Sequence, residues 1–264
     1  MLSGPWRWAA AELRLRWRAT LVLVLLVGLG GGTALVAAAG ARRTETAFSR
    51  FREASLALDL RVQIGEEEQG AGMGEAGEEV LRRLEALPEV ASVGSVDLFI
   101  GSNPESDYDV GIIAGPDPIE ATLGRPRLVA GRLPDPGSAS EVVTNEVTAA
   151  EAGLAAGDTF TIATFTQAQV AAIEEEFTGL GGPELQLRLV GIVRTPDDLV
   201  EEAAGGFYGT PVFQARNLGA AGSYGGLIGV RFAPETDPAV GLQEVRNTVR
   251  SVEGIAEVDI EPAV

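Results

Sequence analysis

The stretch Ala19 to Ala41, ATLVLVLLVGLGGGTALVAAAGA, holds no charged residue over 23 positions. As a helix it would reach roughly 34 Å at about 1.5 Å per residue. A hydrocarbon core about 30 Å thick can be crossed by such a helix with some tilt. No second run of this kind follows in the 264 residues. The sequence therefore predicts a membrane helix at 19–41 and one large water-facing region after it. A cleaved signal peptide is the rival reading, because Ala37 to Ala41 offers small residues at its end. A signal's apolar region is typically ~7–15 residues, which favours the uncleaved anchor.

Both flanks of the span are basic. Residues 1–18 form a basic stretch in which Trp6, Ala9, Leu13 and Trp17 recur at helical spacing, with Arg7, Arg14 and Arg18 on another side. An amphipathic interfacial helix is expected there, with Trp6, Trp17, Arg14 and Arg18 as anchors at the lipid headgroups. Arginines flank the far side in equal number (Arg42, Arg43, Arg50, Arg52), so charge alone leaves the orientation open. Within the span, Gly28 and Gly32 make a small-xxx-small pair that lets a second membrane helix approach closely.

Charge separates the two regions. Residues 1–43 carry six arginines and one glutamate; the remainder carries 14 arginines against 37 acidic residues. A domain that acidic repels nucleic acid, so no nucleic-acid partner is expected. Cys, His and Lys are absent. That removes thiol nucleophiles, Ser–His triads, ordinary zinc sites, Schiff bases and the phosphate-loop lysine. Asp107-Tyr108-Asp109-Val110-Gly111 has a fragment of calcium-loop character but lacks the loop glycine and the terminal glutamate. Asp197-Asp198 after Thr195-Pro196 reads as a turn or helix cap. No catalytic residue, cofactor or metal is expected, and the chain is not expected to be an enzyme.

Residues 42–57 continue the helix out of the membrane, with Ala47, Phe51 and Ala54 at helical spacing. Two β-α-β segments then frame the rest. In the first, 58–104, a strand at Leu58–Ile64 precedes a helix faced by Val80, Leu81, Leu84 and Leu87 and a strand from Val90 to Ile100. In the second, 226–264, strands at Leu227–Phe232 and Ile255–Ile260 flank a helix at Asp237–Val252, with Val240, Leu242, Val245, Val249 and Val252 inward. The junctions LEALPEVASV (84–93) and VRSVEGIAEV (249–258) resemble each other. Two such halves sharing one sheet make a porter-like or ferredoxin-like α+β unit. The middle, 105–225, is expected to be an inserted β-rich subdomain. Its strand candidates are 110–114, 127–130, 141–144, 159–164, 185–194 and 207–213, with one helix over 167–177.

Three segments carry a family resemblance: GARRTETAFSRF (40–51), LVAGRLPDPGSASEVVTNEVTAAEAGLAAGDTFTI (128–162) and LRLVGIVRTPDDL (187–199), with GTPVFQA (209–215) compatible. They resemble the extracytoplasmic domains of FtsX-like and MacB-like ABC transporter permeases, the middle one most specifically. Gly131, Arg132, Glu141, Gly157 and Asp158 carry its motif. In physical terms Gly131 permits a tight turn, Glu141 leads a short strand, 147–154 is a helix, and Gly157-Asp158 turns into the strand at Thr159. These are folding devices with no reactive constellation.

The resemblance implies a permease subunit with its amino terminus in the cytoplasm and its main domain outside the plasma membrane. It also implies a separate ATP-binding ABC subunit, a second permease subunit and membrane lipid as partners. Many such permeases couple ATP hydrolysis to external motion and carry three further membrane helices after the external domain, so a chain reaching Val264 without them is expected to be an amino-terminal fragment of a longer permease or a degenerate family member. A stand-alone anchored or secreted binding or adaptor module is the alternative.

Overall fold

The computed structural model describes residues 17–65, 73–104, 108–117, 124–172, 179–199, 206–255 and 257–263. The chain divides into two units, Met1–Phe51 and Arg52–Val264. Helix α1 runs unbroken from Trp17 to Ser55, 39 residues. Its segment Trp17–Arg42 is long and apolar enough to cross a membrane. Four glycines at 28, 30, 31 and 32 do not interrupt it. A helix in hydrocarbon is held because its N–H and C=O groups have no alternative partner there. Thr33 adds a hydroxyl donated to the Leu29 carbonyl at 2.6 Å.

The second unit is α+β. Its strands are β1 (Leu60–Gly65), β2 (Val90–Asn103), β3 (Tyr108–Ala114), β4 (Arg127–Gly131), β5 (Glu141–Thr144), β6 (Thr159–Thr164), β7 (Glu184–Arg194), β8 (Phe207–Tyr208), β9 (Ser223–Phe232) and β10 (Glu257–Pro262). Helices α2 (Gly74–Glu85), α3 (Glu146–Glu151), α4 (Gln167–Ala171), α5 (Pro211–Asn217) and α6 (Pro238–Arg250) lie between them.

Strands β10, β1, β9 and β2 are consecutive neighbours, each pair antiparallel. The two β-α-β segments thus interleave in one sheet. Alternation on β1 buries Leu60, Val62 and Ile64 against Ile228, Val230 and Phe232 of β9. Val80 and Leu84 of α2, and Val245 and Val249 of α6, close the same core. Asp237 caps α6 by accepting from the Ala239 N–H at 2.8 Å, and Pro238 opens its first turn. The start at Pro238 sets the buried stripe through Gly241, Val245 and Val249. Val240, expected inward, is instead exposed. Gly241 takes the close position, because a Cβ there would lie 2.6 Å from the Phe232 ring.

Beyond this four-stranded frame β2 continues into a second assembly. β2 pairs with β3, β3 with β8, β8 with β5, β5 with β7, and β7 with β6. β6 returns to β2 through Gly101↔Thr164 and Ser102↔Ala163. Six strands therefore close a ring. Its core holds Phe99, Ile112, Val142, Phe160, Ile162, Leu187, Leu189, Phe207 and Phe213, among others. Phe99 meets Phe213 edge to face at 5.4 Å between ring centres. Closure needs Gly101: a Cβ on it would overlap the Ala163 carbonyl.

The expected strand over 207–213 is in fact a two-residue strand followed by α5. Thr210 accepts from the Phe213 N–H at 3.0 Å, and Pro211 stands at the first helical position. That cap and proline turn the chain into a helix. The helix expected over 167–177 is described as α4, Gln167–Ala171; 173–178 lie outside the described residues.

Candidate functional site

The sequence-predicted residues Gly131, Arg132, Glu141, Gly157 and Asp158 come from three separate segments. All three segments meet β7 between Arg188 and Gly191. Gly131, at the end of β4, has φ +73°, and a Cβ there would overlap the Val190 carbonyl. The next residue, Arg132, donates its N–H to that Val190 carbonyl at 3.0 Å. Gly191 faces the same crossing, where a Cβ would overlap the Arg132 carbonyl. Only glycine allows two backbones so close.

Glu141 opens β5 opposite Arg188. The Arg132 guanidinium grips its carboxylate with both prongs, at 2.6 Å to Oε2 and 2.5 Å to Oε1. The Asp135 N–H adds a third bond to Oε2 at 2.9 Å. Arg132 also donates to the Leu133 carbonyl at 3.0 Å, which curls the loop onto itself. The Arg132 bonds, then the Asp135 N–H and the charges of Arg132 and Arg188, hold the Glu141 carboxyl down at about 2. The Arg132 guanidinium is pushed up by the same pairing.

The third segment arrives at Gly157, φ +110°. Its N–H donates to the Leu189 carbonyl at 2.6 Å, and the Leu189 N–H donates to the Asp158 carbonyl at 2.9 Å. The Asp158 side chain accepts from the Ala155 N–H at 2.8 Å and fixes the turn. The cluster is therefore a fastener. The Glu141 carboxylate is occupied by one guanidinium and one amide.

Asp198 behaves as a cap. It accepts from the Thr195 N–H at 2.6 Å and from the Asn145 amide at 2.7 Å. Asn145 in turn caps α3 by accepting from the Thr148 N–H at 2.8 Å. Asp107 of the calcium-like fragment lies outside the described residues, and among those described no three Asp or Glu side chains are grouped so that they could hold a metal ion. Around Gly28 and Gly32 the helix surface is open, with no atom within 4 Å of an added Cβ. Arg18 lies over the Trp17 ring at 5.5 Å; Trp6 and Arg14 fall outside the described residues.

Sequence reasoning missed Asp97. This side chain of β2 is buried, and its Oδ2 accepts from the Gln214 amide at 2.8 Å. Burial raises its carboxyl above the usual range, against the lowering effect of Gln214. A lone acid in the apolar run VASVGSVDLFI was the available signal.

No family model matches the chain, and no curated protein matches it. Solved structures do. The chain is similar to the periplasmic region of MacB from Actinobacillus actinomycetemcomitans at 12% identity, covering 77% of this chain and 88% of that one, with a TM-score of 0.45. A permease-protein domain from Porphyromonas gingivalis aligns at 11% identity over 77% and 87%, TM-score 0.41. The extracellular domain of the noncanonic ABC-type transporter YknZ from Gram-positive bacteria aligns at 11% identity over 77% and 98%, TM-score 0.38.

Proposed function

We propose that this chain is the anchoring first helix and external domain of an ABC transporter permease subunit, without enzymatic activity of its own. The observation that carries the reading is the fastener on β7. The segments that resemble the permease family, 128–162 and 187–199, fold onto each other as one unit. A motif whose residues cooperate in this way identifies a domain more securely than the same letters scattered over a surface.

In this reading the amino terminus is cytoplasmic, the segment 1–18 rests on the membrane interface, and α1 crosses the plasma membrane. Segments 58–104 and 226–264 act as the frame, and 105–225 as the lobe that the frame moves. A separate ATP-binding subunit supplies the energy, and a second permease subunit packs on the Gly28/Gly32 face. The test is purification of the chain from its native membrane in mild detergent, followed by identification of what travels with it. An ABC ATPase in stoichiometric amount is expected. Its absence, together with an encoding DNA that lacks both downstream apolar segments and an adjacent ATPase gene, would leave the stand-alone module as the better reading. For the helix face, Gly28→Leu with Gly32→Leu is expected to abolish cross-linking between neighbouring membrane helices. Unchanged cross-linking would sink that contact.

A further inference from the structure

Strand β4 is a sheet edge with unusual composition. Among the described residues it pairs only with β7, through Arg127↔Arg194 to Gly131↔Gly191. All five of its residues are exposed. Leu128 and Val129 are each 44% exposed, and Leu133 just beyond is 38% exposed. Sheet edges are guarded by short length, charges, prolines, bulges or a covering element. Here Pro126, Arg127 and a bulge between Leu128 and Ala130 guard a short edge against indiscriminate pairing, while Leu128 and Val129 stay open to solvent.

The charges around this edge are also out of keeping with the rest. Residues 44–264 carry 14 arginines against 37 acids. Five of those arginines, at 125, 127, 132, 188 and 194, lie on or beside β4 and β7. Arg132 and Arg194 are paired, to Glu141 and Glu146. Arg125, Arg127 and Arg188 are exposed and make no ion pair among the described residues. Arg127 stands directly opposite Arg194 across the strands, and Glu146 meets the charge of Arg194.

We propose that the free edge of β4 receives an extended acidic segment of a partner polypeptide as an added β-strand. Backbone N–H and C=O groups of β4 bond the incoming strand, as in other strand-addition complexes. Apolar side chains of that strand cover Leu128 and Val129. Its carboxylates reach Arg125 and Arg127 at one end and Arg188 towards the other. An acidic domain presenting a basic apolar edge selects an acidic partner there and repels it elsewhere. This inference does not depend on the transporter reading.

The test uses the full chain in detergent micelles and a labelled eight-residue synthetic peptide alternating valine with aspartate or glutamate, read by fluorescence anisotropy. Saturable binding is expected. Three comparisons should each weaken it about tenfold or more: an arginine–valine peptide, the acidic peptide N-methylated at alternate amides, and the acidic peptide with Arg125→Glu/Arg127→Glu protein. Both substituted side chains are exposed, and an unchanged circular dichroism spectrum checks that the variant is folded. No saturable binding by the acidic peptide, equal binding of acidic and basic peptides, or indifference to N-methylation overturns the proposal. So does self-association of the chain alone that Arg127→Glu abolishes, since the occupant would then be a second copy.

Discussion

The four-stranded frame and the six-stranded ring share β2, yet they differ in the helices that close their cores. In the frame, each β-α-β segment brings its own helix, of 12 or 13 residues, to a common core. In the ring the helices have only five to seven residues. The ring's closure depends on pairings such as Ile112↔Phe207 and Gly101↔Thr164. The frame's own pairs, Leu60↔Pro262 and Val62↔Ile228, lie still farther apart in sequence, so both assemblies need long-range registration, and what sets the frame apart is the long periodic helix that each of its halves supplies. β2 joins them, pairing with β9 along its first half and with β3 and β6 along its second.

Truncating one buried side chain in each core is the strongest way to break this comparison. Phe99→Ala in the ring should cost about 3–5 kcal/mol and Leu84→Ala in the frame about 2–5 kcal/mol. Because β2 belongs to both cores, one urea transition is expected in each variant, shifted as a whole. A biphasic curve for Leu84→Ala, with one phase at the wild-type midpoint, would mean that the cores unfold independently.

Gly101→Val sharpens the comparison further. The added side chain would overlap the Ala163 carbonyl and force β6 away from β2. A loss of about 1–3 kcal/mol is expected, as for other overpacked sites. Amides where β6 meets β2 should exchange faster with solvent while those of β1 keep their protection. Retained protection of the Phe165 amide, which donates to the Ile100 carbonyl of β2 at 3.3 Å, would mean that closure tolerates the side chain.

Glu141→Gln should have a smaller effect, confined to the ring. The folded carboxyl is held at about 2, below the ordinary 4.5. A depressed acid stabilises the fold above its unfolded value, and that contribution is lost as the pH falls through the folded one. Wild-type melting temperature should therefore decline between about pH 4.5 and pH 2, more steeply than in the variant, which should already be a few degrees lower at neutral pH. Parallel curves would dissociate the Arg132–Glu141 grip from stability.

Asp97→Asn is expected to change least, and in the opposite direction. Its folded carboxyl is raised, so stability is greatest at acid pH and falls as the pH rises through the folded value. Asparagine keeps an acceptor for Gln214 and removes the buried charge. A slightly higher melting temperature at pH 7 follows; a lower one would show that the charge itself holds the junction.

How much of this was readable from sequence tracks the same contrast. The frame announced itself because Leu60, Val62 and Ile64 alternate, Val80 and Leu84 fall at helical spacing, and the junction letters repeat. Val240 misled because an apolar residue near a helix start fits either side of the stripe until the first turn is fixed by Asp237 and Pro238. Ring strands such as 159–164 were readable as strands, but their partners were not, since pairing leaves no local trace. The segment 207–213 looked like a strand because Phe207, Tyr208, Val212 and Phe213 are all strand-forming types, while Thr210-Pro211 carried the helix signal. The site letters were readable as a motif; that all of them converge on four residues of β7 required the register.

The pairing of β1 with β10 has a mechanical consequence. Leu60 lies opposite Pro262, the Ala263 N–H bonds the Asp59 carbonyl at 3.0 Å, and Asp59 also accepts from the Phe232 N–H at 2.8 Å. The sheet unit is thus entered and left by the polypeptide at adjacent points on one side. Hydrogen bonds between antiparallel strands run across the strand direction. A pull separating residues 59 and 263 would therefore load the β1–β10 bonds one after another, as a zipper opens, rather than all together. Under tension between residues 59 and 263, this domain yields first at the β1–β10 seam.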